Sequence, residues 1–200
     1  MPPPLEPRHL GPRHFGPRHF GPRHLGPLHV IGHVPTAYPT LEATPVQSSL
    51  NREATAVLEI HDVYADALDG LAGFDFAWLL TWLGPSANEV GKPAADGEQP
   101  VPLRQVPFLL QRAGRALGVF AMRGPRRVNP LGLSLVRLLA VDGPLVHFAG
   151  VDLLDGTPVV DLKPYVSAFD RPPGEPACGW FDEVDLPLGA TPQSLRDPPQ

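Results

Sequence analysis

The chain has 200 residues, with 28 prolines, 20 glycines and a formal net charge of −5. This proline and glycine content predicts low-complexity stretches, whereas a hydrophobic content of 42% predicts a buried core and excludes a fibrous or fully disordered protein. The single cysteine, Cys178, excludes an internal disulfide. Neither a signal peptide nor a membrane span is predicted, so we expect a cytoplasmic protein.

Residues 1–30 contain a five-residue repeat in which PRHLG or PRHFG occurs four times. A proline in every repeat blocks a continuous helix, and one apolar residue per repeat cannot offset the entropy of ordering the segment. We therefore predict a disordered tail over residues 1–30. Its arginines could instead contact RNA, and its histidines could bind a metal weakly, but their spacing is poor for a defined metal site and none is predicted.

Short strands with few helical stretches follow the tail. A helical turn is predicted at Tyr64–Leu68 and a loop at Pro85–Pro102. The predicted strands, bounded by turn signals, are Ala56–Ile60, Phe74–Leu83, Gly118–Met122, Leu133–Val141, Leu145–Ala149 and Thr157–Lys163. This succession favours an all-β fold, a small barrel or sandwich at residues 31–170, over a βαβ fold. A proline-rich segment, residues 171–200, follows with one short element at Trp180–Val184.

Positive charge is concentrated in one part of the chain. Residues 101–141 contain no Asp or Glu and seven arginines: Arg104, Arg112, Arg115, Arg123, Arg126, Arg127 and Arg137. Such a patch suits phosphate, carboxylate or RNA. A solvated face that is balanced in space by Asp152, Asp155 and Asp161 explains the pattern equally well.

The usual fingerprints of several enzyme classes do not occur. The chain contains neither GxGxxG nor GxxxxGK[ST], and it has no GxSxG elbow. A dinucleotide-binding Rossmann site, a P-loop and an α/β-hydrolase nucleophile are therefore not indicated. The residues alone predict a β-rich domain with an arginine-rich loop.

Four segments of the chain, in order, resemble the motifs of one protein family. Residues 118–136, GVFAMRGPRRVNPLGLSLV, are similar to the signature GVFATRSPxRPNPIGLSLV, and residues 152–165, DLLDGTPVVDLKPY, to DLLDGTPVLDIKPY. Residues 70–80, GLAGFDFAWLL, resemble GLxGFSHxWLL, and TPVQ at 44–47 lies where a PxQ element is expected. These are motifs of the TrmO (TsaA-like) family, and the resemblance covers about residues 31–170.

The resemblance implies a closed, mainly antiparallel β-barrel that binds S-adenosyl-L-methionine without a Rossmann fold. It also implies a homodimer with the cofactor near the subunit interface. The implied reaction is methylation of N6 of threonylcarbamoyladenosine next to the anticodon of tRNA, so the implied partner is the tRNA anticodon loop.

Site residues follow from the resemblance only where this sequence matches the family motifs. The implied cofactor-binding residues are Gln47, Ser48, Ser49, Arg123, Leu133, Gly150, Val151, Asp152 and Asp155. Arg127 and Asn129, in the RPN-like core, are the implied catalytic or substrate-binding residues. Asp155, which precedes Gly156, is equally typical of a turn, and Lys163 could be paired structurally with Asp161.

The sequence departs from the family pattern at several positions. Met122 and Gly124 replace a threonine and a serine, Val128 replaces a proline, and Phe76 replaces a histidine. Two alternatives to the tRNA methyltransferase therefore stay open. One is a divergent methyltransferase that acts on another RNA or a small molecule, and the other is a non-catalytic TrmO-like binding protein.

Overall fold

The computed structural model describes residues 28–84, 101–111 and 113–196. Most of the predicted tail and most of the predicted loop at Pro85–Pro102 lie outside the described residues. Eight strands are present in the described part: β1 Gly32–Val34, β2 Thr55–Ile60, β3 Phe76–Trp82, β4 Arg104–Gln105, β5 Leu117–Gly118, β6 Leu131–Asp142, β7 Leu145–Ala149 and β8 Thr157–Pro164.

Six of these strands close into an antiparallel barrel in the order β1-β2-β7-β6-β3-β8. Strands β6 and β7 form a tight hairpin whose turn has Gly143 in the left-handed region, with φ of 55°. Every barrel strand pairs with two neighbours, so the sheet has no free edge. The closed barrel confirms the expected fold class.

The barrel interior is built from alternate residues of the strands. On β3, Ala77, Leu79 and Thr81 are buried, while the residues between them face outward. The largest side chains with almost no exposed surface include Phe148, Leu58, Leu79, Val34, Val136, Val146 and Val159. Side chains thus fill the interior as a packed core.

The strand or strand end that was predicted at Gly118–Met122 is present only at its first residue. The stretch Gly118–Met122 is not a continuous strand: β5 ends at Gly118, and Val119–Ala121 forms a 3-10 helix. Its buried side chains, Val119 and Met122, are three residues apart, whereas Phe120 between them is exposed. That spacing fits a 3-10 turn, which repeats every three residues, and not a strand, which repeats every two.

Short helices lie between the strands and after β8. The predicted turn at Tyr64–Leu68 lies in a 3-10 helix, Asp62–Leu68, and others occur at Ser48–Leu50, Leu71–Gly73 and Phe108–Leu110. After β8 come α1 Ser167–Asp170, a 3-10 helix at Gly179–Glu183 and α2 Pro192–Arg196. The element expected at Trp180–Val184 is therefore present as a 3-10 helix.

Candidate functional site

Asp152 is the centre of a hydrogen-bonded group that joins three separate parts of the chain. Its Oδ1 accepts a bond of 2.7 Å from the Ser134 hydroxyl on β6. Its Oδ2 accepts bonds from the backbone N–H of Ser48, at 2.8 Å, and from Nε2 of Gln47, at 3.3 Å. The carboxylate thereby ties the loop before β2 to strand β6 and to the segment after β7.

Arg123 extends this group into the arginine-rich segment. Its Nε donates to Oε1 of Gln47 at 2.9 Å, and an Nη donates to the backbone carbonyl of Leu133 at 3.1 Å. Both polar atoms of the Gln47 side-chain amide are therefore bonded, Oε1 to Arg123 and Nε2 to Asp152. We call these six residues the Asp152 network: Gln47, Ser48, Arg123, Leu133, Ser134 and Asp152.

The Asp152 carboxyl titrates well above its ordinary range. Burial raises its pKa from 3.8 to about 6, because removal from water disfavours the charged form. The hydrogen bonds from Ser134 and Ser48 and the positive charge of Arg123 oppose the rise, since each of them stabilises the carboxylate. Perturbed titration of this kind is frequent at functional sites.

Gly150 and Val151 bring Asp152 to this position. Gly150 has φ of 91°, which turns the chain sharply after β7, and an added Cβ would lie 3.5 Å from the Ser48 carbonyl. The carbonyl of Val151 accepts a bond of 2.7 Å from Nδ2 of Asn51. Both predicted backbone positions therefore lie against the Ser48–Leu50 turn.

Two predicted cofactor residues do not join the network. The Ser49 side chain is exposed, and its carbonyl accepts a bond from Nε of Arg52 at 2.9 Å. Asp155 is exposed and accepts a bond of 3.0 Å from the backbone N–H of Thr36. This bond joins Asp155 to a distant part of the chain and does not close the turn before Gly156. A role for Asp155 in cofactor binding stays a prediction.

The two predicted catalytic residues lie in the irregular loop that precedes β6. Nη1 of Arg127 donates a bond of 2.7 Å to the carbonyl of Met122, the residue before Arg123. Asn129 is exposed, and its carbonyl accepts a bond of 2.7 Å from the backbone N–H of Leu131. Arg127 therefore supports the backbone beside Arg123, and the structure brings neither residue into the Asp152 network.

Sequence reasoning missed the role of Ser134. The residue lies on β6 at an inward position, where its neighbours on the same face are apolar, and it is almost fully buried. A small polar residue on the buried face of a strand requires a hydrogen-bond partner, and that requirement was a usable signal. The partner, Asp152, lies in a segment that follows the next strand.

The arginines of residues 101–141 are partly balanced by acidic residues. The prediction named Asp152, Asp155 and Asp161, but these three do not act together. Asp152 acts on Arg123, whereas Asp161 forms an ion pair of 2.8 Å with Lys163. Arg115 pairs at 3.3 Å with Glu183, which comes from the C-terminal segment. The ion pair that the sequence allowed between Lys163 and Asp161 is therefore present, and a functional role for Lys163 stays open.

Within residues 28–84, 101–111 and 113–196, no three His, Cys, Asp or Glu side chains lie together as a metal-binding group would require. The same residues include no helix with the length and apolar character needed to cross a membrane.

Several known proteins are similar to this chain in sequence and in fold. A protein called "Probable S-adenosyl-L-methionine-binding protein" from Methanothermobacter thermautotrophicus is 35% identical over 140 residues, which cover 70% of this chain and 90% of that protein. The "tRNA (adenine(37)-N6)-methyltransferase" of Mus musculus is 34% identical over 146 residues, covering 71% of this chain. The crystal structure of TrmO from Pseudomonas aeruginosa matches with a TM-score of 0.57 and 29% identity, covering 78% of this chain and 62% of that one.

The extent of these matches differs among the relatives. This chain spans 31% of the mouse protein and less than two thirds of the other curated relatives that match first. The family model described as "tRNA-methyltransferase O N-terminal domain" matches residues 33–171, well over half of the chain and close to the predicted domain. The chain therefore belongs to the TrmO family.

Proposed function

We propose that this protein is an S-adenosyl-L-methionine-dependent methyltransferase that methylates N6 of threonylcarbamoyladenosine in the anticodon loop of tRNA. The observation that carries the proposal is the Asp152 network. It joins residues from three of the four family motifs, although Gln47 and Asp152 are more than 100 positions apart in the chain. Relatives that are named for S-adenosylmethionine binding and for methylation of tRNA adenine support the same assignment.

The chemistry of the network fits the proposed cofactor. S-adenosylmethionine has a carboxylate at one end and a flat adenine ring at the other. Arg123 is exposed and uses two of its five N–H donors in the network, so donors remain for a carboxylate. Leu133, beside it, is 43% exposed and offers apolar surface for a ring. When bound, the cofactor would supply an electrophilic methyl group.

The protein's contribution to methyl transfer would be orientation and electrostatics. In the proposed site Gln47, Ser48 and Arg123 hold the cofactor, and Asp152 keeps their side chains and backbone in place through its bonds. Arg127 and Asn129 lie on the adjoining loop and would bind the modified nucleotide. Aligning N6, the N–H nitrogen of a carbamoyl group, with the methyl group would lower the barrier by restricting motion before reaction. N6 would gain the methyl group as the bond from methyl to sulfur breaks, the N6 proton would be lost, and S-adenosylhomocysteine would leave.

The arginine-rich segment supports an RNA substrate. Arg104 and Arg126 are exposed, and exposed guanidinium groups suit phosphates. The exposed aromatic ring of Phe120 lies in the same segment, and such rings stack on unpaired bases. A loop of tRNA offers both phosphates and unpaired bases, so the segment favours this substrate over a small molecule.

We further propose a homodimer that forms through the outer face of β3 and β6. Phe76 lies opposite Arg137, and the pairs Trp78–Leu135, Leu80–Leu133 and Trp82–Leu131 follow along the strands. These outward residues make a largely apolar surface, in which Phe76, Leu131 and Leu133 are clearly exposed, and the exposed Leu139 follows further along β6. Neighbouring exposed apolar side chains are typical of association surfaces. Leu139→Glu should shift the mass measured by light scattering from dimer to monomer, whereas a monomeric wild type would refute the dimer.

Titration calorimetry with S-adenosylmethionine tests the cofactor assignment directly. We expect saturable binding by the wild type and an affinity about tenfold or more weaker for Arg123→Ala, because a charge-assisted bond is lost. Arg171→Ala removes another exposed arginine, which directly follows α1 and makes no bond to the Asp152 network, and it should bind like the wild type. No binding by the wild type, or equal loss in both variants, would contradict the proposal.

A further inference from the structure

The C-terminal segment is bonded to the loop that carries Gln47 and Ser48. The carbonyl of Ala190 accepts a bond of 2.9 Å from the N–H of Val46, and the N–H of Gly189 donates to the carbonyl of Leu50 at 2.6 Å. These two bonds lie on either side of residues 47–49, so they hold the turn at both ends. Ala190 itself is 2% exposed and is packed into the protein.

The same segment also reaches the loop that carries Arg123. Nε1 of Trp180 donates a bond of 2.7 Å to the carbonyl of Ala121, two residues before Arg123. The Trp180 ring stacks on Phe181 with centroids 3.8 Å apart, and Glu183 pairs with Arg115. Residues 180–190 therefore contact both loops whose side chains meet in the bond between Gln47 and Arg123. We call residues 180–190 the C-terminal clasp.

Neither of the two loops has much regular structure of its own. Between β1 and β2 the only helical turn is Ser48–Leu50, and Arg123 follows a 3-10 helix of three residues. Ordering the backbone of such a loop costs conformational entropy, and this cost opposes binding. Contacts that order a loop before its ligand binds reduce this entropy cost and so raise the affinity for the ligand.

We propose that the C-terminal clasp is a positioning element that holds Gln47, Ser48 and Arg123 in their binding arrangement and thereby sets the affinity for S-adenosylmethionine. The inference rests on the proposed function for the identity of the ligand. It goes beyond that function because the clasp lies outside residues 33–171, which the family model matches. The clasp acts through the loops and is not itself placed at the cofactor.

Two full-length variants and one matched control test the clasp. Ala190→Glu introduces a charge at a buried contact and should release the clasp from Val46. Leu188→Glu introduces the same charge two residues away, where the side chain is 76% exposed, and should leave the clasp bound. Trp180→Phe keeps an aromatic ring beside Phe181 but removes the N–H that bonds Ala121.

Affinity for S-adenosylmethionine and amide hydrogen exchange are measured on the same samples. If release leaves about one tenth of the molecules with ordered loops, Ala190→Glu weakens binding about tenfold, and Trp180→Phe weakens it about threefold or more. In Ala190→Glu the amides of residues 46–51 should exchange faster, while those of β6 and β7 keep their protection. Leu188→Glu should match the wild type in both measurements.

The outcomes separate this inference from the proposed function. A wild type that fails to bind S-adenosylmethionine overturns the proposed function and the ligand of the clasp together. A wild type that binds, with Ala190→Glu and Trp180→Phe both binding within twofold of it, overturns the clasp alone. Faster exchange throughout the barrel strands of Ala190→Glu would show that the clasp stabilises the whole fold. In that case the affinity of Trp180→Phe for S-adenosylmethionine decides whether the clasp also positions the loops.

Discussion

Replacing Asp152 with asparagine removes one negative charge from the Asp152 network and keeps its hydrogen-bond pattern. The asparagine oxygen can accept the bonds from Ser48 and Gln47, and its amide can donate to the Ser134 hydroxyl, which rotates to accept. The variant is therefore expected to fold. It differs from the wild type chiefly in carrying no group that titrates at this position.

The raised pKa of Asp152 sets the size of the expected difference in unfolding free energy between the wild type and Asp152→Asn. Between 3.8, its ordinary value, and about 6 in the folded protein, the native state binds more protons than the unfolded state. Stability therefore falls as the pH rises through this window, by about 1.36 kcal/mol for each unit of pKa difference. The wild type should lose about 2–3 kcal/mol of unfolding free energy relative to Asp152→Asn between pH 4 and pH 7.5.

Urea unfolding followed by tryptophan fluorescence at several pH values between 4 and 7.5 measures this difference. Subtracting the two proteins cancels the other titrating groups that they share. Asp155→Asn makes the same chemical change at an exposed carboxyl three residues away and controls for the substitution itself. A difference between wild type and Asp152→Asn that stays flat, or that moves in favour of the wild type as the pH rises, would refute the reasoning.

Three further substitutions test other parts of the account. Gly150→Ala places a side chain where φ is 91° and should lower the unfolding free energy by about 1–2 kcal/mol in the same urea assay; unchanged stability would show that the turn relaxes easily. Arg127→Lys should keep the affinity for S-adenosylmethionine within a few-fold and lower kcat/KM on tRNA about ten- to a hundred-fold, since lysine cannot form a bidentate pair; loss of cofactor affinity instead would place Arg127 in the cofactor site. Lys163→Met breaks an exposed ion pair with Asp161 and should change the melting temperature by no more than about 2 °C, so a larger drop would indicate a structural role.

The barrel could be predicted from the sequence because its strands have strong local signals. Strand β7 has the predicted bounds, and β2, β3, β6 and β8 differ from theirs by at most two residues at each end. Strand β1 was missed because it has only three residues, Gly32–Val34, and includes a glycine. Its place in the sheet comes from its neighbours: an added Cβ at Gly32 would collide with the backbone carbonyl of Glu59 on β2. Pairing of this kind is not encoded in a short window of sequence.

Most members of the Asp152 network could be predicted from the sequence, but Ser134 and the bonds between the members could not. Gln47, Ser48, Arg123, Leu133 and Asp152 were expected from the family motifs, and the structure brings them together. No motif specifies which side chains bond to one another. Those bonds depend on how β6 and the turn after β7 pack.

The C-terminal clasp was unpredictable for a similar reason. Its proline-rich composition is typical of a loose terminal segment. Its bonds to Val46 and Leu50 are made mostly by backbone atoms, which leave little trace in side-chain identity. Burial of a single small residue, Ala190, gives equally little signal in the sequence.

The measurement that tests the central proposal most directly is mass spectrometry of the nucleosides of a tRNA that carries threonylcarbamoyladenosine and lacks the methyl group. The tRNA is incubated with the purified protein and S-adenosylmethionine, with Arg123→Ala and Arg171→Ala in parallel. We predict that the wild type and Arg171→Ala convert the nucleoside to a product heavier by one methyl group at N6, and that Arg123→Ala forms much less of it. An unchanged nucleoside in the presence of wild-type protein that binds the cofactor would contradict the proposed substrate, and equal conversion by all three proteins would contradict the proposed site.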